Sequence, residues 1–124
     1  MQNNIKSISM GTFTDMTFLE SFTGGNKEKM NKYINIFLQV YPKSLEEMKN
    51  HLGSAEYDRL RAIAHSLKPQ ITYMGIRGGA ELIQKIEKNA GERIEVEQLP
   101  TVLNDFQSVC DKAVEELKQI TGAN

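Results

Sequence analysis

The sequence lacks the features that several common classes of protein require. Its single cysteine, Cys110, excludes an intramolecular disulfide and a multi-cysteine zinc site. No apolar stretch approaches the roughly 18 residues of a membrane span. The first residues also lack the apolar core of a signal peptide. We therefore expect a cytoplasmic protein that has no membrane partner.

The charge is balanced and not clustered. Fifteen basic and 16 acidic residues are well mixed along the chain and give a net charge of −1. No basic stripe is present to neutralise phosphates, so we expect no binding to nucleic acid. The chain has 124 residues, of which 40% are hydrophobic, as is usual for one globular domain. That length leaves no room for a separate catalytic domain.

The apolar residues recur at spacings of three and four, which is the helical period. No segment of useful length alternates apolar and polar residues as a half-buried strand does. The pattern predicts an all-α protein, an antiparallel four-helix bundle with a short N-terminal helix. We expect residues 1–13 to be an irregular lead-in and residues 14–124 to form the bundle domain.

Local signals predict where several of these helices begin and end. Thr14 or Asp15 is expected to cap the short first helix, and Ser54 to cap a later one. The next helix is expected over residues 76–90, with Gly91 closing it.

The most informative segment is AHSLKPQITYMG, residues 64–75. On the helix that carries this segment, each core-facing residue is followed by a residue of a second, adjacent stripe. This stripe consists of Arg61, His65, Lys68, Thr72 and Gly75. His65 therefore borders the buried face and points outward, with Lys68 one turn away on the same surface. Because Thr72 and Gly75 are small, nothing bulky is expected to obstruct a partner that approaches the imidazole.

This arrangement suits a side chain that accepts and transfers a phosphoryl group. A histidine imidazole is largely neutral at cytoplasmic pH and can attack phosphorus without an added base. Phosphoryl transfer depends mainly on positioning and charge neutralisation. Lys68, and secondarily Arg61, would supply positive charge beside an incoming phosphoryl group.

The segment resembles the signature of histidine-containing phosphotransfer (HPt) domains, in which a histidine is followed by Leu-Lys, small residues and a glycine. The resemblance extends over about residues 16–120, through a double-glycine turn and residue pairs in two other helices. The residues that match the signature in register are Ala64, His65, Leu67, Lys68 and Gly75.

The resemblance implies a role for three residues. His65 would be the phosphorylated residue, Lys68 its electrostatic helper, and Glu87 a carboxylate on the neighbouring helix that faces the imidazole. A hydrogen bond from Nδ1–H to Glu87 would leave Nε2 free to attack.

The resemblance also implies a place in two-component signal transduction. His65 would accept a phosphoryl group from the aspartyl phosphate of a receiver domain and pass it on through a phosphohistidine. The protein would be a monomeric phosphocarrier and not an enzyme with its own turnover. Its partners would be receiver domains and a hybrid sensor kinase. It would need no cofactor of its own, since the receiver would bring the Mg²⁺.

The main departure from the family pattern is Pro69, where the family most often has glycine. Proline cannot donate to the His65 carbonyl, and its ring crowds that oxygen. We therefore expect the helix to bend beside His65.

Two other functions remain open at this point. One is a catalytically silent helical adaptor that binds a receiver or kinase without phosphotransfer. The other is a sensor-kinase dimerisation domain, although no His-Glu-x-x-Thr-Pro element is present. His51 is interpreted as a surface residue near a helix C-terminus, since no lysine follows it by three positions. Cys110, at a core step of the last helix, is interpreted as a buried structural thiol.

Overall fold

Five α-helices account for most of the residues that the structure describes. The computed structural model describes residues 11–122, and within them no residue lies in a β-strand apart from one isolated bridge. A short 3-10 turn, Val96–Gln98, precedes the last helix. The helices are α1 (Thr17–Phe22), α2 (Lys27–Gly53), α3 (Tyr57–Tyr73), α4 (Gly79–Glu92) and α5 (Leu99–Thr121).

The four long helices form a closed bundle, so the predicted all-α fold is confirmed. Each packs against the next along the chain, and α5 returns to pack against α2. The short connections make sequence neighbours antiparallel. Apolar residues at three- and four-residue spacings from every helix meet in one core, because that spacing puts them on one side of a helix. The largest fully buried side chains include Phe37, Phe106, Leu60 and Ile83.

Several helix boundaries differ from the sequence-based expectation. Ser54 does not cap α3, because it is the residue directly after α2, and Glu56 precedes α3 instead. Gly91 does not close α4, which continues to Glu92 and is followed by Arg93 in a left-handed conformation. At the first helix, Met16 directly precedes α1, instead of the expected Thr14 or Asp15, although Asp15 Oδ1 accepts a hydrogen bond from the backbone N–H of Thr17. The two later boundaries differ because Ala55 and Arg93 adopt positive φ. Alanine and arginine seldom adopt this conformation, so the sequence does not predict it.

An N-terminal segment before α1 explains why α4 begins at Gly79 and not at Ile76. The backbone N–H of Asp15 donates to the Gly75 carbonyl at 2.8 Å, and that of Arg77 donates to the Phe13 carbonyl at 3.0 Å. Ile76 is therefore part of a short pairing with this segment and not of a helix. The buried Thr14 hydroxyl donates to Glu116 at 2.6 Å, which ties the segment to α5 as well.

Both interior prolines, Pro42 and Pro69, lie within helices that continue past them. Of residues 11–122, no helix is long and apolar enough to cross a membrane. The predicted lead-in over residues 1–13 lies largely outside the described residues, since only 11–13 of it are placed. Cys110 is fully buried, as predicted, and burial raises the pKa of its thiol.

Candidate functional site

His65 lies in the middle of α3, with its side chain 65% exposed. The preceding residue, Ala64, is fully buried, as are Leu60, Leu67 and Ile71 on the same helix. This stripe fixes which side of α3 enters the core, and the 100° step from Ala64 turns the next side chain outward. The imidazole is therefore accessible on a helix that is anchored along its opposite face.

A single carboxylate on α4 contacts both the imidazole and a lysine. Nδ1 of His65 lies 2.6 Å from Oε2 of Glu87, and Nζ of Lys68 lies 2.8 Å from Oε1 of the same residue. Glu87 is mostly buried, with 18% of its side chain exposed, whereas Lys68 is half-buried. The carboxylate thus holds His65 and Lys68 side by side.

The charge state of Glu87 determines the tautomer of His65. The Lys68 ammonium lowers the pKa of Glu87, and the hydrogen bond from His65 lowers it further, against the opposing effect of burial. At neutral pH the carboxylate is ionised and can only accept hydrogen bonds, so Nδ1 of His65 must carry a hydrogen. In the neutral imidazole, Nε2 then has the free lone pair and can act as a nucleophile.

A groove of about 480 Å³ lies beside this trio, between α3 and α4. Arg61 reaches it because Gly91 has no side chain: a Cβ at Gly91 would lie only 2.7 Å from Cδ of Arg61. The groove can accept an anion in the vicinity of Lys68, since cations outnumber carboxylates along it. Its lining residues are Arg61, Lys68, Gln84, Glu87, Lys88, Gly91 and Glu92.

The structure brings together His65, Lys68 and Glu87, the three residues that the sequence singled out for chemistry. Thr72 is exposed on the same helix, as expected for an open surface. Gly75 is partly buried, and a Cβ there would overlap the carbonyl oxygen of Asp15. The N-terminal segment therefore packs against this glycine, and the place of Gly75 in a binding surface stays a prediction.

Sequence reasoning did not single out Gln84 or Lys88, which line the groove from α4. Both belong to a run of mixed charge that is usually only a solvated face. Their three- and four-residue spacing from Glu87 and Gly91 places them on one side of α4. This spacing is the one feature of the sequence that could have assigned them to the groove.

The other histidine has a different environment. Nδ1 of His51 lies 2.9 Å from Oε1 of Glu56, in the last turn of α2, and its side chain is only 21% exposed. His51 is therefore at the predicted helix terminus but is less exposed than a surface residue. A second groove, of about 520 Å³, lies at that end of the bundle. It is lined mainly by apolar side chains and contains no histidine.

The ion pair at Glu87 predicts a specific pH dependence of stability. Because the pKa of Glu87 in the folded protein is below its usual 4.5, the ionised carboxylate stabilises the fold above that pH. This contribution is lost as the pH falls through the folded-state pKa. We expect the difference in free energy of unfolding between wild type and Glu87→Gln to become smaller as the pH falls through the folded-state pKa of Glu87.

Urea denaturation, repeated from neutral pH to about pH 3, measures this difference. Glu81→Gln, on the same helix, is the matched control and should show a smaller dependence. A Glu87→Gln difference that stays constant over the whole range would contradict the assignment.

Comparison with known proteins agrees with this geometry. No curated protein and no solved structure matches the chain. A family model of the Hpt domain, however, matches residues 32–120, which include α3, α4 and nearly all of α5. Its extent covers His65, Lys68 and Glu87 and well over half of the sequence. The chain therefore belongs to the Hpt domain family, whose members carry phosphoryl groups in two-component phosphorelays.

Proposed function

We propose that this protein is a phosphorelay intermediate in which His65 accepts a phosphoryl group from a receiver-domain aspartyl phosphate and passes it to another receiver. The observation that carries the proposal is the Glu87 carboxylate, which bonds Nδ1 of His65 and leaves Nε2 free. The exposure of the imidazole on a rigid helix supports it further.

The proposed step conserves atoms and charge. The Nε2 lone pair attacks phosphorus, an N–P bond forms, and the P–O bond to the partner's aspartate breaks, so that its carboxylate leaves. The hydrogen on Nδ1 stays in place, and the positive charge that develops on the ring is met by Glu87. Transfer to the next receiver reverses these events.

Lys68 has an electrostatic part in this proposal. Its ammonium is already beside the imidazole, on the second oxygen of Glu87. A phosphoryl group on Nε2 would bring additional negative charge, and the flexible lysine stem allows the ammonium to move toward it. Arg61 adds a second cation at the edge of the groove.

Any divalent cation would come with the receiver in this scheme. The Glu87 carboxylate, the acidic group nearest to His65, is already occupied by His65 and Lys68 and is a poor metal ligand in that state. The protein would act as a carrier with a covalent intermediate, without a substrate of its own to turn over.

The test is incubation of the purified protein with a panel of phosphorylated receiver domains from the same organism, with Mg²⁺. We expect at least one receiver to transfer acid-labile, alkali-stable label to the wild-type protein, and mass spectrometry to locate it on His65. If receivers bind but none transfers label, the protein is a silent adaptor and the proposal is wrong.

A further inference from the structure

A third groove lies between α4 and the connection that leads to α5, and it has no part in the proposed function. Its volume is about 430 Å³, at the small end of the range for sites that bind small molecules. One wall is the helix and the other is the connection. The residues that line it include Gln84, Lys85, Lys88 and Asn89 of α4 and Ile94 and Glu95 of the connection.

Asn89 is the unusual residue of this groove. Three polar side chains of the described residues are buried, namely those of Thr14, Thr23 and Asn89. The two threonine hydroxyls donate hydrogen bonds, to Glu116 and to the Leu19 carbonyl. Nδ2 of Asn89, whose side chain is only 3% exposed, has no hydrogen-bond partner within the described part of the chain. A buried donor of this kind requires an explanation.

Neither the helix nor the core explains an asparagine at this position. Ile83 and Ile86 precede Asn89 at three-residue spacing on α4, and both are fully buried. An apolar side chain would continue this stripe without leaving a donor unpaired. A buried amide without an acceptor destabilises the fold instead. The acceptor that Nδ2 needs must therefore come from outside the described residues.

Two ammonium groups flank the unpaired amide. Lys85 precedes Asn89 by one turn and Lys88 is its neighbour in sequence, and both are exposed. Neither lysine forms an ion pair with any of residues 11–122. An amide donor with two cations beside it suits a carboxylate, which only accepts hydrogen bonds and gains strength from the positive charge.

Glu95 adds a negative charge on the other wall of the groove. The backbone N–H of Ile94 donates to the Asn89 carbonyl at 3.1 Å, so the connection is bonded directly to the residue with the unpaired amide. Glu95 forms no ion pair within the described chain either. Its carboxylate would repel a polyanion and attract an ammonium group. The groove therefore favours a zwitterion over a phosphate.

We infer that this groove binds a free amino acid. The ligand's carboxylate accepts hydrogen bonds from Nδ2 of Asn89 and from Lys85 and Lys88, and its ammonium group pairs with Glu95. Because Nδ2 is recessed, the side chain of Ile94, which is 40% exposed, rotates aside as the carboxylate enters. The site lies apart from His65, which does not line this groove.

The experiment is a two-dimensional NMR titration of the whole, unphosphorylated chain with glycine, alanine, serine, glutamine and leucine, which are neutral amino acids of different size. We expect at least one of them to bind with a Kd of about 1 mM or below. Binding should shift the side-chain amide signals of Asn89 and the backbone amide signals of residues 85, 88, 94 and 95.

Two variants test the assigned contacts. Asn89→Leu should raise the Kd at least about tenfold, because it removes a hydrogen bond to a charged group. It should also raise the midpoint of thermal unfolding of the ligand-free protein, since an unpaired donor is lost, whereas an amide that served only the fold would be missed.

Lys85→Gln should raise the Kd about threefold or more. Lys85 is exposed and does not line the groove beside His65, so this variant decides the case if Asn89→Leu fails to fold. The matched control is Lys49→Gln, which changes an exposed lysine in the groove at the other end of the bundle and should leave the Kd unchanged.

The inference is overturned if none of the five amino acids shifts the Asn89 signals at about 10 mM, or if one binds Asn89→Leu and Lys85→Gln as tightly as wild type. It is also overturned if acetate, which has no ammonium group, binds as tightly as the amino acids. A single ordered water on Nδ2 that no amino acid displaces would overturn it as well. None of these outcomes depends on phosphoryl transfer, so they are separate from the test of the proposed function.

Discussion

Replacing His65 by glutamine is expected to reduce acid-labile phosphorylation by receiver domains to background. Glutamine has no nucleophilic nitrogen, since its amide lone pair is delocalised, so no N–P bond can form. His51→Gln is the matched control, because His51 is the only other histidine in the sequence and is bonded to Glu56. We expect that variant to keep full labelling.

The effect of His65→Gln on the fold should be small. The side chain is mostly exposed, so we expect a change of about 1 kcal/mol or less in the free energy of unfolding. Filter-bound radiolabel, with acid and alkali treatment, measures the phosphorylation, and thermal denaturation checks the fold. Label that persists on His65→Gln would assign the phosphoryl group to another residue.

Removing the carboxylate of Glu87 is expected to give the second largest effect. Glu87→Ala should lower the rate constant of phosphoryl transfer by about 10- to 100-fold, which is about 1.4 to 2.7 kcal/mol in the activation free energy. The variant loses the bond that holds the imidazole in one orientation and tautomer. It also releases Lys68 from its place beside the imidazole.

Glu87→Gln separates these two contributions. Its amide oxygen can still accept the hydrogen bond from Nδ1, but it has no charge with which to hold Lys68 or to stabilise a positive ring. We therefore expect a smaller loss for Glu87→Gln than for Glu87→Ala. Single-turnover rates at saturating receiver measure the chemical step without the docking step, and Glu81→Ala serves as the control on the same helix. An unchanged rate in Glu87→Ala would show that the carboxylate has no part in transfer.

The two faces beside His65 have different chemistry. Toward α4 the surface is charged, with Glu87, Lys68 and Arg61 around the groove. Toward α1 it is aromatic, with Phe22 and Tyr73 exposed. Variants on the first face should therefore alter the rate of transfer at saturation.

Helix content and the inward faces could be predicted from the sequence because they depend on a local period. The three- and four-residue spacing of Leu60, Ala64, Leu67 and Ile71 requires no knowledge of other helices. Helix ends were less predictable. Ala55 and Arg93 end or connect helices with positive φ, which is more typical of glycine or asparagine, and these values arise from the packing of the connected helices.

The residues of the candidate site also differ in whether the sequence alone could place them. Lys68 follows His65 by one turn on a single helix, so the sequence alone places the two side chains together. Glu87 was assigned by resemblance to a family, since the pattern of α4 does not say which residue meets His65. Two other contacts join residues of different helices, so no local sequence pattern predicts them. They are the contact of Arg61 with Gly91 and the stacking of Tyr73 on Phe18.

The sequence by itself therefore determined a bundle of amphipathic helices with an exposed His65 and Lys68 on one of them. Only the tertiary structure decided that Glu87 bridges the two side chains, that Asp15 covers Gly75, and that four aromatic rings meet at the surface. The physical reason is that a helical period fixes the direction of a side chain around its own axis, whereas contacts between helices depend on their relative rotation and register. Those are set by the packing of the whole core.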